Sequence, residues 1–177
     1  MPSLERVQDA LREVGVRQDR PVVFYDARIS AGAARAWWVA TYYGVPGVRV
    51  LDGGLTAWRD AGLPVDGGEV TVSPGDVVLS PGGRTLLDAD GLMSWLERGG
   101  QVLDARPANR FRGEDETIDP IAGHVPGARS FPSLSLLAED GTFLPEDAIG
   151  ALLTDAGAVA GSPTALYCGS GITAAPA

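Results

Sequence analysis

Short apolar, β-rich runs alternate with segments of helical periodicity along almost the whole chain, and this alternation leaves few architectures open. Residues 3–14 place Leu4, Val7, Leu11 and Val14 at helical spacing, with Ser3 as N-cap and Arg6 and Glu13 facing outward. Residues 21–26 (Pro-Val-Val-Phe-Tyr-Asp) read as a buried parallel strand whose C-terminal end meets a loop. A helix over 33–43 follows, stopped by Gly44 and Pro46, then a strand at 48–51 and a short helix at 55–61 that Gly62-Leu-Pro64 ends. From Val65 to Gly83 the periodicity fades and Gly, Pro, Ser and Asp accumulate, as in a linker. The pattern then resumes. Asp88 caps a helix carrying Leu92, Trp95 and Leu96 to Gly99-Gly100, followed by a strand at 101–105, a polar loop at 106–127, a strand at 128–131, a helix at 145–156 and a strand at 164–168. The class is α/β, with parallel sheets flanked by helices.

The chain also echoes itself. Val22-Val-Phe-Tyr-Asp26 resembles Thr164-Ala-Leu-Tyr-Cys168, with Asp26 standing where Cys168 stands. Two related modules are expected, at 1–66 and 85–177, joined by a linker at 67–84. Each reads as incomplete, the first lacking its front and the second its back. Trp37 and Trp38 are expected to pack between helix and sheet, or between modules.

Composition removes several classes of function. Fourteen Lys and Arg against 23 Asp and Glu give a net charge of −9 and a pI near 4.5, which argues against a non-specific grip on nucleic acid. The longest apolar stretch, 148–161, is broken by Thr154 and Asp155 and falls short of the roughly 18 residues that a membrane span needs. No basic flank and apolar run mark the N-terminus as a secretory signal, so a cytoplasmic setting and no membrane partner are expected. A single cysteine excludes an intramolecular disulfide, and with a single histidine it cannot alone build a structural zinc site.

That cysteine opens the most informative segment, Cys168-Gly-Ser-Gly-Ile-Thr-Ala174. A thiol reacts as thiolate, and its pKa falls when successive backbone N–H groups converge on it. Gly169 and Gly171 let the backbone curl around the sulfur, while the Ser170 and Thr173 hydroxyls can donate to a bound anion. The competing reading makes Cys168 a small buried hydrophobe at a strand end. A cysteine phosphatase would need an arginine at position 174, which is alanine, and no histidine lies nearby in sequence to support a cysteine protease.

Four motifs in order resemble the rhodanese superfamily, in its two-module form of thiosulfate or 3-mercaptopyruvate sulfurtransferase. Cys168-Gly-Ser-Gly-Ile-Thr is similar to the active-site loop of the mercaptopyruvate type. Residues 103–113, Leu-Asp-Ala-Arg-Pro-Ala-Asn-Arg-Phe-Arg-Gly, resemble the family's Asp-x-Arg strand end and its Arg-Phe/Tyr substrate segment. Residues 122–128, Ala-Gly-His-Val-Pro-Gly-Ala, resemble its Gly-His-Ile-Pro-Gly-Ala turn, and 52–58 with 62–64 its module-closing segment. A second family arginine, downstream of the Arg-Phe pair, is replaced here by Thr117-Ile-Asp-Pro120.

The resemblance implies a rhodanese-like fold, an inactive first module with Asp26 in the cysteine slot, and sulfur transfer through a Cys168 persulfide. Gly169, Ser170, Gly171, Ile172 and Thr173 would cradle the sulfur. Arg110 would hold the anionic end of a small sulfur donor, and no metal or organic cofactor is implied. Cyanide, a thiol or a protein dithiol, including a thioredoxin-like one, would accept the sulfur. For Arg110 the surface reading is an ion pair with Glu114 or Asp115. Arg106 is expected to anchor the strand end, His124 to satisfy backbone groups in its turn, and Asp26 to cap a loop. The alternative function is a non-catalytic rhodanese-like binding or regulatory fragment. In the family a helix follows the active-site loop. The sequence after Ala174 shows none, so residues 169–177 are expected to be exposed and Cys168 to titrate near the free value of about 8.5.

Overall fold

Residues 1–28 and 31–177 are described in a computed structural model. The chain divides into two units, Met1–Leu86 and Leu87–Ala177.

In the first unit α1 (Leu4–Glu13) is capped by Ser3, whose side chain accepts from the Arg6 N–H. Leu4, Val7 and Leu11 face a core of Val16, Ala40, Tyr43, Val45, Val77 and Leu79. Val14, placed on the same apolar face by its spacing, is 62% exposed, because the helix ends at Glu13 and Gly15 turns the chain at φ 81°. Strands β1 (Val22–Phe24) and β2 (Val48–Val50) pair in parallel with Val22 opposite Val48. Between them runs α2 (Ala31–Tyr42), which buries Ala33, Ala34 and Ala40. Trp37 and Trp38 are half-buried beside polar neighbours: the Arg84 guanidinium lies over Trp37, and Trp38 stacks on Tyr42 with Arg35 above it.

Helix α3 (Gly54–Asp60) is docked through its first turn. The Leu55 and Thr56 N–H groups donate to the carbonyls of Asp26 and Ala27, where β1 runs out. This approach requires Gly54, which has φ 59° and leaves only 2.5 Å between an added Cβ and the Asp26 carbonyl oxygen.

Part of the stretch expected to be linker belongs to this core. Val77 is fully buried and Leu79 nearly so, while Val78 between them is 66% exposed. That alternation of two is the signature of an extended segment with one face inward. Arg12 and Gln8 on α1 hold it, donating to the Val77 carbonyl and accepting from the Leu79 N–H.

The second unit is built around β3 (Gln101–Asp104), which lies between β4 (Arg129–Ser130) and β5 (Thr164–Tyr167) in a parallel sheet of order β4-β3-β5. Val102, Leu103, Asp104 and Ala105 are buried, as befits a central strand covered on both faces. Asp88 caps α4 (Ala89–Glu97) by accepting the Gly91 N–H. Ile149, Leu152 and Leu153 of α6 (Glu146–Asp155) pack on Leu103, Phe131 and Leu136, the last in a short 3-10 turn, Ser133–Leu136. The loop expected at 106–127 contains one further helical turn, α5 (Ala108–Phe111).

Among the described residues no helix is long and apolar enough to cross a membrane.

Candidate active site

Parallel strands deliver their C-terminal ends to one edge of a sheet, and in the second unit that edge gathers the chemistry. In register, Asp104 lies opposite Tyr167 on one side and Ser130 on the other, and Cys168 follows Tyr167 directly.

Asp104 is fully buried, which taken alone would push its carboxyl up. Arg106 reverses this. Its guanidinium forks onto Asp104 at 2.7 to 3.1 Å, its backbone N–H adds a bond of 2.9 Å, and the Tyr167 hydroxyl adds another, so the carboxyl is held below its usual range. Burial and the Asp104 carboxylate push the Tyr167 phenol up to about 12, while its oxygen accepts the Val125 N–H. Arg106 also donates to the Gly123 carbonyl, tying the 122–128 turn to the strand end.

Cys168 sits half-buried at the head of the glycine-rich loop. The Gly171 N–H points at Sγ from 2.9 Å. Burial pushes the thiol up, but hydrogen bonds from the Thr173 hydroxyl and the backbone N–H groups of Ala174, Gly171 and Ser170 outweigh it, and the thiol lies below its ordinary value. The expected exposure of residues 169–177 holds only in part, since Ala175 is buried and Gly171, Thr173, Ala174 and Pro176 are half-buried, and the thiol is displaced downward from its ordinary value. The donors come from the loop and the turn that follows it, where Ala175 bonds back to the Ile172 carbonyl and is itself buried. Gly169, Ser170 and Ile172 are exposed, whereas Gly171 and Thr173 are half-buried.

Arg110 lies beside this loop. A Cβ added at Gly169 would come within 4.0 Å of Arg110 Nη2 and 3.6 Å of both Asp119 carboxylate oxygens. Its ion pairs are not those read from the sequence. Nε donates to Glu116 at 2.9 Å and Nη2 to Asp119 at 2.7 Å, while Glu114 is taken by Arg112. Glu116 also accepts the N–H groups of Ile118 and Asp119. Arg110 and these bonds hold its carboxyl down at about 2. Glu116 and Asp119 escaped the sequence reading because nearer acids competed for the arginines; the spacing i, i+6 and i, i+9 across a loop carries no regular signal.

His124 stacks on Phe111 with ring centres 3.7 Å apart, and its Nδ1 donates to the Phe111 carbonyl. It works as a turn residue there. Asp26 accepts the Ala33 N–H at 3.3 Å near the start of α2. Among the described residues no group of three His, Cys, Asp or Glu is placed to hold a metal ion.

The chain is similar to known proteins. Residues 2–61 match the Rhodanese-like domain family. A Mycobacterium tuberculosis protein, SseB, that carries the name of a thiosulfate sulfurtransferase is 47% identical over 99% of this chain and 62% of its own. The 3-mercaptopyruvate sulfurtransferase of Escherichia coli K12 is 34% identical over 99% of this chain and 63% of its own. The crystal structure of Escherichia coli SseA, a 3-mercaptopyruvate sulfotransferase by its description, superposes with a TM-score of 0.86 at 34% identity, covering 99% of this chain and 66% of that one. The chain thus spans about three fifths of the length of the curated relatives it matches.

Proposed function

The chain belongs to the rhodanese superfamily, and on that footing we propose that it is a sulfurtransferase working through a persulfide on Cys168. The observation that carries this reading is the Gly171 N–H at 2.9 Å from Sγ, one of several donors that together lower the thiol despite its burial.

The Cys168 thiolate attacks the outer sulfur of thiosulfate. The sulfur–sulfur bond of the donor breaks, sulfite leaves with the electron pair, and Cys168 retains the transferred sulfur as a persulfide anion. With 3-mercaptopyruvate the carbon–sulfur bond breaks instead, and the carbon takes a proton to leave pyruvate. A nucleophilic acceptor, such as cyanide, a small thiol or a thioredoxin-like dithiol, then attacks the outer sulfur and releases the Cys168 thiolate. The loop N–H groups from Gly169 to Thr173 stabilise negative charge at each stage, Ser170 assists proton movement, and Arg110 orients the donor's anionic end. A reducing compartment preserves a lone reactive thiol, and a cytoplasmic location suits this reading. In this reading the first unit is a catalytically silent module, with Asp26 in the cysteine slot.

Mass spectrometry of the intact chain after treatment with thiosulfate or 3-mercaptopyruvate tests the proposal. The mass of one added sulfur, localised to Cys168 and lost again on addition of cyanide, is expected. An unmodified Cys168 with both donors would favour the binding-module alternative.

A further inference from the structure

Arg110 is held by two carboxylates in different settings. Glu116, on Nε, has a side chain only 4% exposed and is locked by two backbone N–H groups. Asp119, on Nη2, is 33% exposed, has a longer second contact of 3.3 Å to Arg106, and lies against Gly169 of the cysteine loop. A buried, multiply bonded carboxylate stays in place, whereas a partly solvated one can exchange with another anion at small cost.

Resting on the sulfurtransferase reading, we infer that Asp119 occupies the position on Arg110 that a donor's anionic end takes, and so sets which donors the site accepts. Glu116 keeps the guanidinium aimed at the loop, and Asp119 is the internal anion that a donor must displace. It also presents a negative charge to anything approaching Cys168 from that side. The favoured donor class is small, and its anionic group pairs with the Nη2 edge more strongly than a single carboxylate oxygen does. Bulky anions fail this exchange, and neutral thiol reagents do not face it. Asp119 is a specificity-determining residue here, not a catalytic one.

Because Cys168 is the only thiol, the charge field at its sulfur can be read chemically, apart from turnover. The same thiolate attacks iodoacetate and iodoacetamide, displacing iodide from each, and the two reagents differ in charge, so the ratio of their rates cancels the thiolate fraction. Asp119→Asn is expected to raise the iodoacetate-to-iodoacetamide ratio roughly three- to tenfold, and Asp119→Glu to leave it near the parent value. The KM for thiosulfate should fall by a similar factor in Asp119→Asn with kcat changed less than about twofold. Asp119→Ser provides the same comparison if the asparagine variant does not fold. A ratio unchanged or lowered in the neutral variants would overturn the inference, even if persulfide forms normally. Failure of the parent chain to form any persulfide would instead sink the sulfurtransferase reading, while the alkylation ratio still decided the role of Asp119.

Discussion

Two strand ends in this molecule meet the same physical problem with different residues. At the end of β1 the chain reaches Asp26, a carboxylate that accepts the Ala33 N–H near the start of α2. At the end of β5 it reaches Cys168, whose sulfur accepts from Gly171 and its neighbours in the loop. Both ends place a side chain that accepts from backbone N–H groups of the segment that follows, Ala33 at Asp26 and several loop groups at Cys168. In the first unit the Asp26 side chain ties the strand end to α2, and on the proposed reading it takes no part in sulfur transfer. In the second an anion is made only by ionising a thiol, so on the proposed reading the loop's donors become a means of activation. On the proposed reading, the residue at the strand end decides whether this position does chemistry.

The sharpest way to break this comparison is Cys168→Ser, which keeps the loop but removes the only sulfur nucleophile. Persulfide and turnover should vanish entirely, and any residual sulfur transfer measured with thiosulfate and cyanide would refute the covalent route. Arg110→Ala comes next. It should lower kcat/KM for an anionic donor by about ten- to a hundredfold while sparing transfer from preformed persulfide to acceptor, as half-reaction kinetics would reveal. In the first unit, Gly54→Ala sets a side chain against the Asp26 carbonyl at positive φ and should cost about 1–3 kcal/mol in denaturant unfolding. Gly62→Ala, also at positive φ but with open space around it, should cost less; equal losses would remove the close approach at Asp26 from the account. The smallest effect belongs to Thr173→Val, which deletes one donor to Cys168 and should raise the thiol pKa.

Much of this was written plainly in the chain. The alternation of strand and helix, the Ser3 and Asp88 caps and the strand delivering Cys168 follow from local rules of spacing and turn chemistry, and the structure agrees on each. The segment at 76–80 did not announce itself, because its Val77 and Leu79 sit among glycine, proline and serine, and two inward residues are too few to reveal a period of two. Its burial is decided by Gln8 and Arg12, 71 and 65 residues away, which no local rule can foresee. At the site, Cys168 and Arg110 stood out through their motifs. Glu116 and Asp119 did not, since their roles come from a loop folding back on α5 rather than from any repeat along the sequence. The loop after Cys168 misled in the other direction. Without a helix to follow, it reads as an exposed tail, and part of it is exposed, yet Gly171 bonds back to Cys168 and Ala175 to Ile172.

The central claim is that this loop by itself shifts Cys168 toward thiolate against the cost of burial. The rate of Cys168 alkylation by iodoacetamide, followed across pH, measures that shift in one experiment, because no other thiol contributes. The account predicts an inflection below the free-cysteine value of about 8.5, moving upward in Thr173→Val. An inflection at or above that value in the parent chain would mean that desolvation prevails over the loop's donors, and that Cys168 is a buried thiol and not an activated one.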